Sequence, residues 1–205
     1  RITLCEAMAP EAIVDASGNE TQLPGGRPIE GGDAVVVATS GSSGPPKGVV
    51  LTHEGIAASA TASNRRLGTS ANDHWLVCLP LSHVGGLSVV TRAWQAGCQL
   101  TVHPSFNSVD VEMAARSGAT MTSLVATALR RVDASLFRTI LLGGSAAPEF
   151  TAQNVVITYG MTETASGVVY DGRPLDGVEI RLSPDSQISV RAPMLFRGYR
   201  DGTNP

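Results

Sequence analysis

Short, nearly uninterrupted apolar runs recur along the chain, at 34–38, 75–79, 139–142 and 155–157, and two of them stop on Pro80 or Gly143. The run 34–38 is uniformly apolar, as strands buried on both faces are. A Gly/Ser loop follows it, and 49–51 resumes an extended pattern. A helix is expected after Thr52, whose hydroxyl can cap it, through the Ala-rich stretch to Gly68. The alternation then repeats: strand 75–79, helix 89–96 stopped by Gly97, strand 98–102, helix 109–116 with Ser108 as cap and Gly118 beyond its end. Strand 119–124, helix 126–132, strand 139–142 and strand 155–158 complete the series.

Strands alternating with helices predict an α/β core over 34–167, built on a largely parallel sheet with flanking helices. In such sheets ligands sit beyond the carboxyl ends of the strands. Three glycine-containing segments follow strands, at 39–48, 143–147 and 159–164, so one cleft is expected to hold all three. Residues 1–33 read as a hairpin and linker, with a strand at 12–15 and a turn at Ser17-Gly18-Asn19. From 168 to 205 the pattern changes. Segments 178–182 and 188–191 alternate apolar and polar, as half-buried antiparallel strands do, around the turn Pro184-Asp185-Ser186. A small β subdomain is expected there. Between Gly144 and Val155 there is hardly room for a helix, and the chain stops in a turn at Gly202-Thr203-Asn204-Pro205, so further residues are expected around both places.

Composition narrows the function. Of 205 residues, 42% are hydrophobic and 16% charged, enough for a buried core and too few charges for a disordered chain. The net charge of -3 gives no basic surface for a nucleic acid. Arg65-Arg66 and Arg130-Arg131 read as solvated helix faces, and Trp75 and Trp94 as core. Cys5, Cys78 and Cys98 form no CxxC pair, which argues against a zinc or thioredoxin-type site and fits a reducing cytoplasm. Cys78 and Cys98 lie in apolar runs, as core residues do. No apolar run approaches the ~18 residues of a membrane span, and the N-terminus has no signal-peptide pattern. A homodimer is left open.

The loop Thr39-Ser40-Gly41-Ser42-Ser43-Gly44-Pro45-Pro46-Lys47-Gly48 carries the chemistry. Its glycines let the backbone approach a ligand closely. Backbone N–H groups, four hydroxyls and one ammonium are what a polyphosphate needs. It is not a Walker A loop, which requires Ser or Thr after the lysine; here Gly48 follows.

These ten residues resemble the signature phosphate loop of the adenylate-forming superfamily, which includes acyl-CoA synthetases, adenylation domains and luciferases. Other segments match in order. Leu79-Pro80-Leu81-Ser82-His83-Val84-Gly85-Gly86-Leu87 is similar to the segment lining the acyl pocket. Gly143-Gly144-Ser145-Ala146 is similar to the one near adenine and the acyl group, and Tyr159-Gly160-Met161-Thr162-Glu163-Thr164 to the YGxTE motif. Gly172-Arg173-Pro174 and Phe196-Arg197-Gly198-Tyr199 resemble weaker landmarks. The resemblance implies that ATP, Mg2+ and a carboxylic acid meet here, with CoA as co-substrate. It assigns nucleotide binding to Thr39, Ser40, Gly41, Ser42, Ser43, Gly44, Lys47, Gly143, Gly144, Ser145, Tyr159, Gly160, Met161 and Thr162. Tyr159 would stack on adenine, and the Thr162 hydroxyl would reach the α-phosphate. Glu163 would hold the metal, with Lys47, Thr162 and Glu163 catalytic. His83, Gly86, Gly143 and Thr164 would meet the acid; an imidazole can donate to a carboxylate or ketone, or pair with it when protonated. His53, His74 and His103 have no such context.

Within the superfamily the chain is most similar to the o-succinylbenzoate–CoA ligases of menaquinone biosynthesis. The features are a short linker before the loop, the form His83-Val84-Gly85-Gly86-Leu87, and the run Tyr159 to Val178. Another acyl- or aryl-CoA synthetase, a carrier-loading adenylation domain, and a non-catalytic nucleotide-binding fragment stay open. The superfamily's C-terminal domain, with a second catalytic lysine, the hinge and the ribose-binding aspartate, has no counterpart among these residues. A fragment without it is expected to bind better than it turns over.

Overall fold

The computed structural model describes residues 7–39, 45–146 and 152–203. Ser40, Gly41, Ser42, Ser43 and Gly44 of the glycine-rich loop, together with Cys5, lie outside the described residues.

The expected N-terminal hairpin pairs β1 (Ala12–Val14) with β2 (Glu20–Gln22). Asp15 Oδ1 closes its turn by accepting the N–H groups of Ser17 and Asn19. Next come β3 (Asp33–Ala38), β4 (Gly48–Thr52) and α1 (His53–Leu67). Thr52 caps α1 as expected, its Oγ1 accepting from Gly55 N–H at 3.0 Å. The helix ends at Gly68, whose φ of 60° suits a residue without Cβ.

The α/β core follows with β5 (His74–Val77), α2 (Val84–Ala96), β6 (Gln99–Val102), α3 (Ser108–Arg116), β7 (Met121–Leu124), α4 (Ala126–Leu129), β8 (Thr139–Leu142) and β9 (Val155–Met161). Helix α2 starts five residues earlier than the expected 89, and Asn107 rather than Ser108 caps α3. β10 (Ser166–Tyr170) and β11 (Arg173–Pro174) complete a sheet ordered β6-β5-β7-β8-β9-β10-β11. Its pairings are parallel from β6 to β9 and antiparallel beyond. The fold is thus the expected α/β class with a largely parallel sheet. That sheet runs on through Pro174, past the change of pattern at 167. β12 (Glu179–Leu182) and β13 (Ile188–Arg191) then form the expected antiparallel hairpin.

Strand alternation divides the core between the two faces of the sheet. Trp75 and Val77 of β5 pack with Val89 and Ala93 of α2, Met121, Val168 and Tyr170. Leu76 and the neighbouring Cys78 face the other side, with Val111 of α3, Leu124, Phe137 and Ile140. Each such large side chain removed from water contributes about 1.5–3 kcal/mol. Burial pushes the Cys78 and Cys98 thiols up, so neither is a ready thiolate.

Three expectations change. β3 is not buried inside the parallel sheet: it pairs antiparallel with β4, which pairs with β14 (Gly198–Tyr199), in a separate three-stranded sheet. Residues 39–47 are too few for the crossover of about a dozen that parallel neighbours need. Trp94 is not core but 84% exposed, because α2 buries Gly86, Val89 and Ala93, and Trp94 lies off that face. Arg65 and Arg66 are not merely solvated. Arg65 Nη1 pairs with Asp176 at 3.1 Å, and Arg66 donates to the carbonyls of Arg173 and Pro174. No helix among the described residues is long and apolar enough to cross a membrane.

Candidate active site

A cavity of about 300 Å³ opens at the carboxyl ends of β7, β8 and β9, where a parallel sheet places ligands. Leu79, Pro80, His83 and Gly86 line it, together with Val125, Leu141, Gly143 and Gly144 and with Gly160 and Met161 of β9. Two of the three glycine segments expected in one cleft therefore meet there. Two glycines are required by close packing. A Cβ on Gly86 would run into the carbonyl oxygens of Leu79 and Pro80, and one on Gly160 into the carbonyl of Ser166.

Part of the cavity lining is polar, at Ser88, Arg92, Ser123 and Ser166. Arg92, one α-helical turn after Ser88, is 2% exposed. Its Nη2 donates to Ser166 Oγ at 2.6 Å and to Tyr170 Oη at 3.2 Å. Ser166 Oγ donates to Ser88 Oγ at 3.2 Å, and Tyr170 Oη lies 2.6 Å from Ser63 Oγ. The guanidinium carbon stands 5.8 Å from the Trp75 ring. Arg92 has no ion-pair partner among the described residues, and both Arg92 Nε and Ser123 Oγ are buried without a hydrogen-bond partner there. A buried cation in a cavity lining, with no carboxylate partner among the described residues, is chemically suited to an anionic group. Sequence reading missed it. The available signal was a lone charge in the apolar helix α2, on the same face as Ser88.

The second part of the site lies around the glycine-rich loop. Thr39 N–H donates to Lys47 O at 2.9 Å and Lys47 N–H to Thr39 Oγ1 at 3.1 Å, which closes the neck of the loop. Lys47 is exposed, and its Nζ lies 4.3 Å from the centroid of the Tyr199 ring. Tyr199 Oη donates to Glu163 Oε1 at 2.9 Å. Burial, then the bond to Glu163 and its negative charge, push the Tyr199 hydroxyl up to about 12, so it stays a donor at neutral pH. Glu163 sits in a 3-10 turn, Thr162–Thr164, two residues past the cavity-lining Met161.

His83 is exposed at the start of α2 and lines the cavity. Tyr159 is 40% exposed, and Thr162 is half-buried. Ser145 is exposed beside Gly144. Thr164, expected to meet the acid, is fully buried and does not line the cavity. Its Oγ1 accepts Met161 N–H at 3.0 Å and is within 2.9 Å of Met161 O and 2.6 Å of Ser166 O, so the hydroxyl is committed to the local turn.

A model of the family described as AMP-binding enzyme matches residues 5–199. The probable 2-succinylbenzoate–CoA ligase of Mycobacterium tuberculosis is 37% identical over 201 residues, covering 88% of this chain and 52% of that protein. The 2-succinylbenzoate–CoA ligase of Enterococcus faecalis is 31% identical over 210 residues, covering 84% and 43%. Among solved structures, the o-succinylbenzoate coenzyme A synthetase of Bacillus subtilis, in complex with ATP and magnesium, superposes with a TM-score of 0.75 at 31% identity, covering 87% of this chain and 46% of that one. The chain spans about half the length of these relatives. With the match running from residue 5 to 199 over a fold and cavity of this kind, the chain belongs to the family of AMP-binding enzymes.

Proposed function

We propose that this chain is the ATP- and acid-binding part of an AMP-forming acid–CoA ligase, and that its acid is o-succinylbenzoate. A carboxylate oxygen of the acid attacks the α-phosphorus of ATP, and pyrophosphate leaves. The acyl-adenylate then meets the CoA thiol, which takes the acyl group and releases AMP. ATP and CoA as substrates fit a cytoplasmic enzyme.

The observation that carries the choice of acid is Arg92. o-Succinylbenzoate has two carboxylates, so one can react while the other stays bound. The apolar walls at Leu79, Val125 and Leu141 suit its ring and chain, and Arg92, Ser88 and Ser166 suit the retained carboxylate. A fatty acid would leave that guanidinium buried against methyl groups, at a desolvation cost. His83 at the rim is available to the ketone or to the reacting carboxylate.

Lys47 supplies a point charge for phosphate oxygens, and the Thr162 hydroxyl and the face of Tyr159 serve the α-phosphate and adenine. A magnesium ion fits the donor set. Among the described residues no three acidic, His or Cys groups converge, while Glu163 offers one carboxylate beside the loop. One carboxylate plus phosphate oxygens and waters is how Mg2+ is commonly held. When bound, the ion neutralises charge on the phosphates. Glu163 would hold it and Lys47 would orient the phosphate chain.

The test is ATP–pyrophosphate exchange by the full-length protein. Exchange is expected with o-succinylbenzoate and much less with 4-oxo-4-phenylbutanoate, which lacks the ring carboxylate. Lys47→Ala should lower exchange and Glu163→Ala nearly remove it. Equal exchange with the two acids, or a preference for a straight-chain acid, would overturn the assignment.

A further inference from the structure

Lys47 and Glu163 have opposite charges and lie against the same residue, yet they form no ion pair with each other among the described residues. Tyr199 meets both. Its ring takes the Lys47 ammonium at 4.3 Å, and its hydroxyl takes Glu163 Oε1 at 2.9 Å. The ring is itself fixed. Phe196 packs against it edge-on, with centroids 4.9 Å apart and planes at 61°. Tyr199 pairs with Val49 on β4, two residues beyond Lys47, and Arg197 and Arg200 N–H groups donate to Val50 and Gly48 on the same strand. Phe196 N–H also donates to the Glu163 carbonyl at 2.8 Å. The 196–200 segment therefore grips both the exit of the glycine-rich loop and the turn that carries Glu163.

We infer that Tyr199 is a positioning residue that holds Glu163 and Lys47 apart, so that the carboxylate is aimed for a divalent cation and the ammonium for phosphate. This rests on the reading of Glu163 as the metal-side carboxylate. The physical reason is charge economy. A flexible Lys and a Glu brought against one residue can collapse into a contact that neutralises both groups. A neutral hydroxyl steadies the carboxylate while leaving its charge intact, and an aromatic face steadies the ammonium in the same way. One oxygen of Glu163 is taken by Tyr199, and the other has no hydrogen-bond partner among the described residues.

The test uses the full-length protein and calorimetric titration of ATP, with and without MgCl2. Tyr199→Phe keeps the ring and removes the hydroxyl. It should raise the Mg2+ concentration needed for half-maximal strengthening of ATP binding about tenfold, while Mg2+-free ATP binding stays within about twofold of the parent, since the ring contact survives. Tyr199→Leu removes both contacts and should also weaken Mg2+-free binding, about threefold. An unchanged Mg2+ requirement in Tyr199→Phe overturns the inference, as does an equal loss with and without Mg2+, which marks a structural role only. Glu163→Gln separates the underlying reading. If that variant keeps the parent's Mg2+ dependence, Glu163 is not the metal carboxylate, and the inference falls with it.

Discussion

Arg92 Nη2 reaches Ser166 Oγ at 2.6 Å across the joint between α2 and β10, and this contact holds a buried positive charge in the lining of the cavity. Charge-assisted hydrogen bonds of this kind contribute about 1.5–3 kcal/mol each. Arg92→Met should therefore raise the KM for o-succinylbenzoate roughly tenfold to a hundredfold, with little change in the KM for ATP. Arg92→Lys keeps the charge but loses the planar fork, so it should recover only part of the loss. The discriminating measurement is the same pair of variants on 4-oxo-4-phenylbutanoate, where the penalty should be small. A uniform loss on both acids would mean that Arg92 only supports the fold.

Much of this arrangement was legible in the sequence because its signals are local. Strand runs ending on glycine marked β8, and the loop chemistry of 39–48 depends on residue types at fixed spacing. The Thr52 cap and the β12–β13 hairpin were equally local. What the sequence did not show depends on contacts between distant positions. Tyr199 and Glu163 are 36 residues apart, and nothing near either one points to the other. Arg92 inside an apolar helix has no partner in sequence; Ser166 and Tyr170, which surround it with Ser88, come from 74 and 78 residues away. The run 34–38 has the composition of a buried central strand, but its partner is decided by the short connection to β4. Trp94 has the residue type of a core position, but its angular position on α2 puts it in solvent.

Gly86 tests whether the cavity wall is set by backbone contact. A Cβ there meets the Leu79 and Pro80 carbonyls, which are main chain and cannot swing away. Gly86→Ala should force α2 off the 79–80 turn, costing about 1–3 kcal/mol as overpacking does. The acid KM should rise together with a fall in the thermal midpoint. Gly85→Ala is the control, because its nearest neighbour is the flexible Leu79 side chain at 3.6 Å; it should leave both quantities nearly unchanged.

Arg197 ties the C-terminal segment to the N-terminal linker. Its Nε and Nη2 reach the two Asp33 carboxylate oxygens at 2.8 and 3.0 Å, and its Nη1 reaches Glu30 Oε1 at 2.7 Å. The Asp33 side chain is only 3% exposed, and the bond from Arg197 chiefly holds its carboxyl below the ordinary value. Arg197→Ala leaves that carboxylate without its main partner and should cost about 1–3 kcal/mol. Limited proteolysis should then cut within 20–33 faster than in the parent, while cleavage of the α/β core is unaffected at short times.

Asp73 gives a pH dependence that can be tested. Its carboxylate accepts Ser70 N–H at 2.9 Å, Thr120 Oγ1 at 3.1 Å and Arg138 Nε at 2.8 Å, at the entry to β5. Burial pushes the carboxyl up, but these bonds and the Arg138 charge outweigh it and leave it below the ordinary carboxylate value. A carboxyl with a folded value below the unfolded one, about 3.9, stabilises the fold fully above the unfolded value. That contribution drains away as the pH falls through the folded value. The parent's thermal midpoint should therefore drop between about pH 5 and pH 3. Asp73→Asn keeps an acceptor but cannot titrate, so it should start lower at pH 7 and lose less over that interval. Asp73→Ala removes the carboxylate that Ser70 N–H and Thr120 Oγ1 donate to, leaves Arg138 only Leu67 O and Met121 Sδ, and should cost about 1–3 kcal/mol at pH 7. Parallel pH profiles for the parent and Asp73→Asn would show that the acid sensitivity comes from other carboxylates.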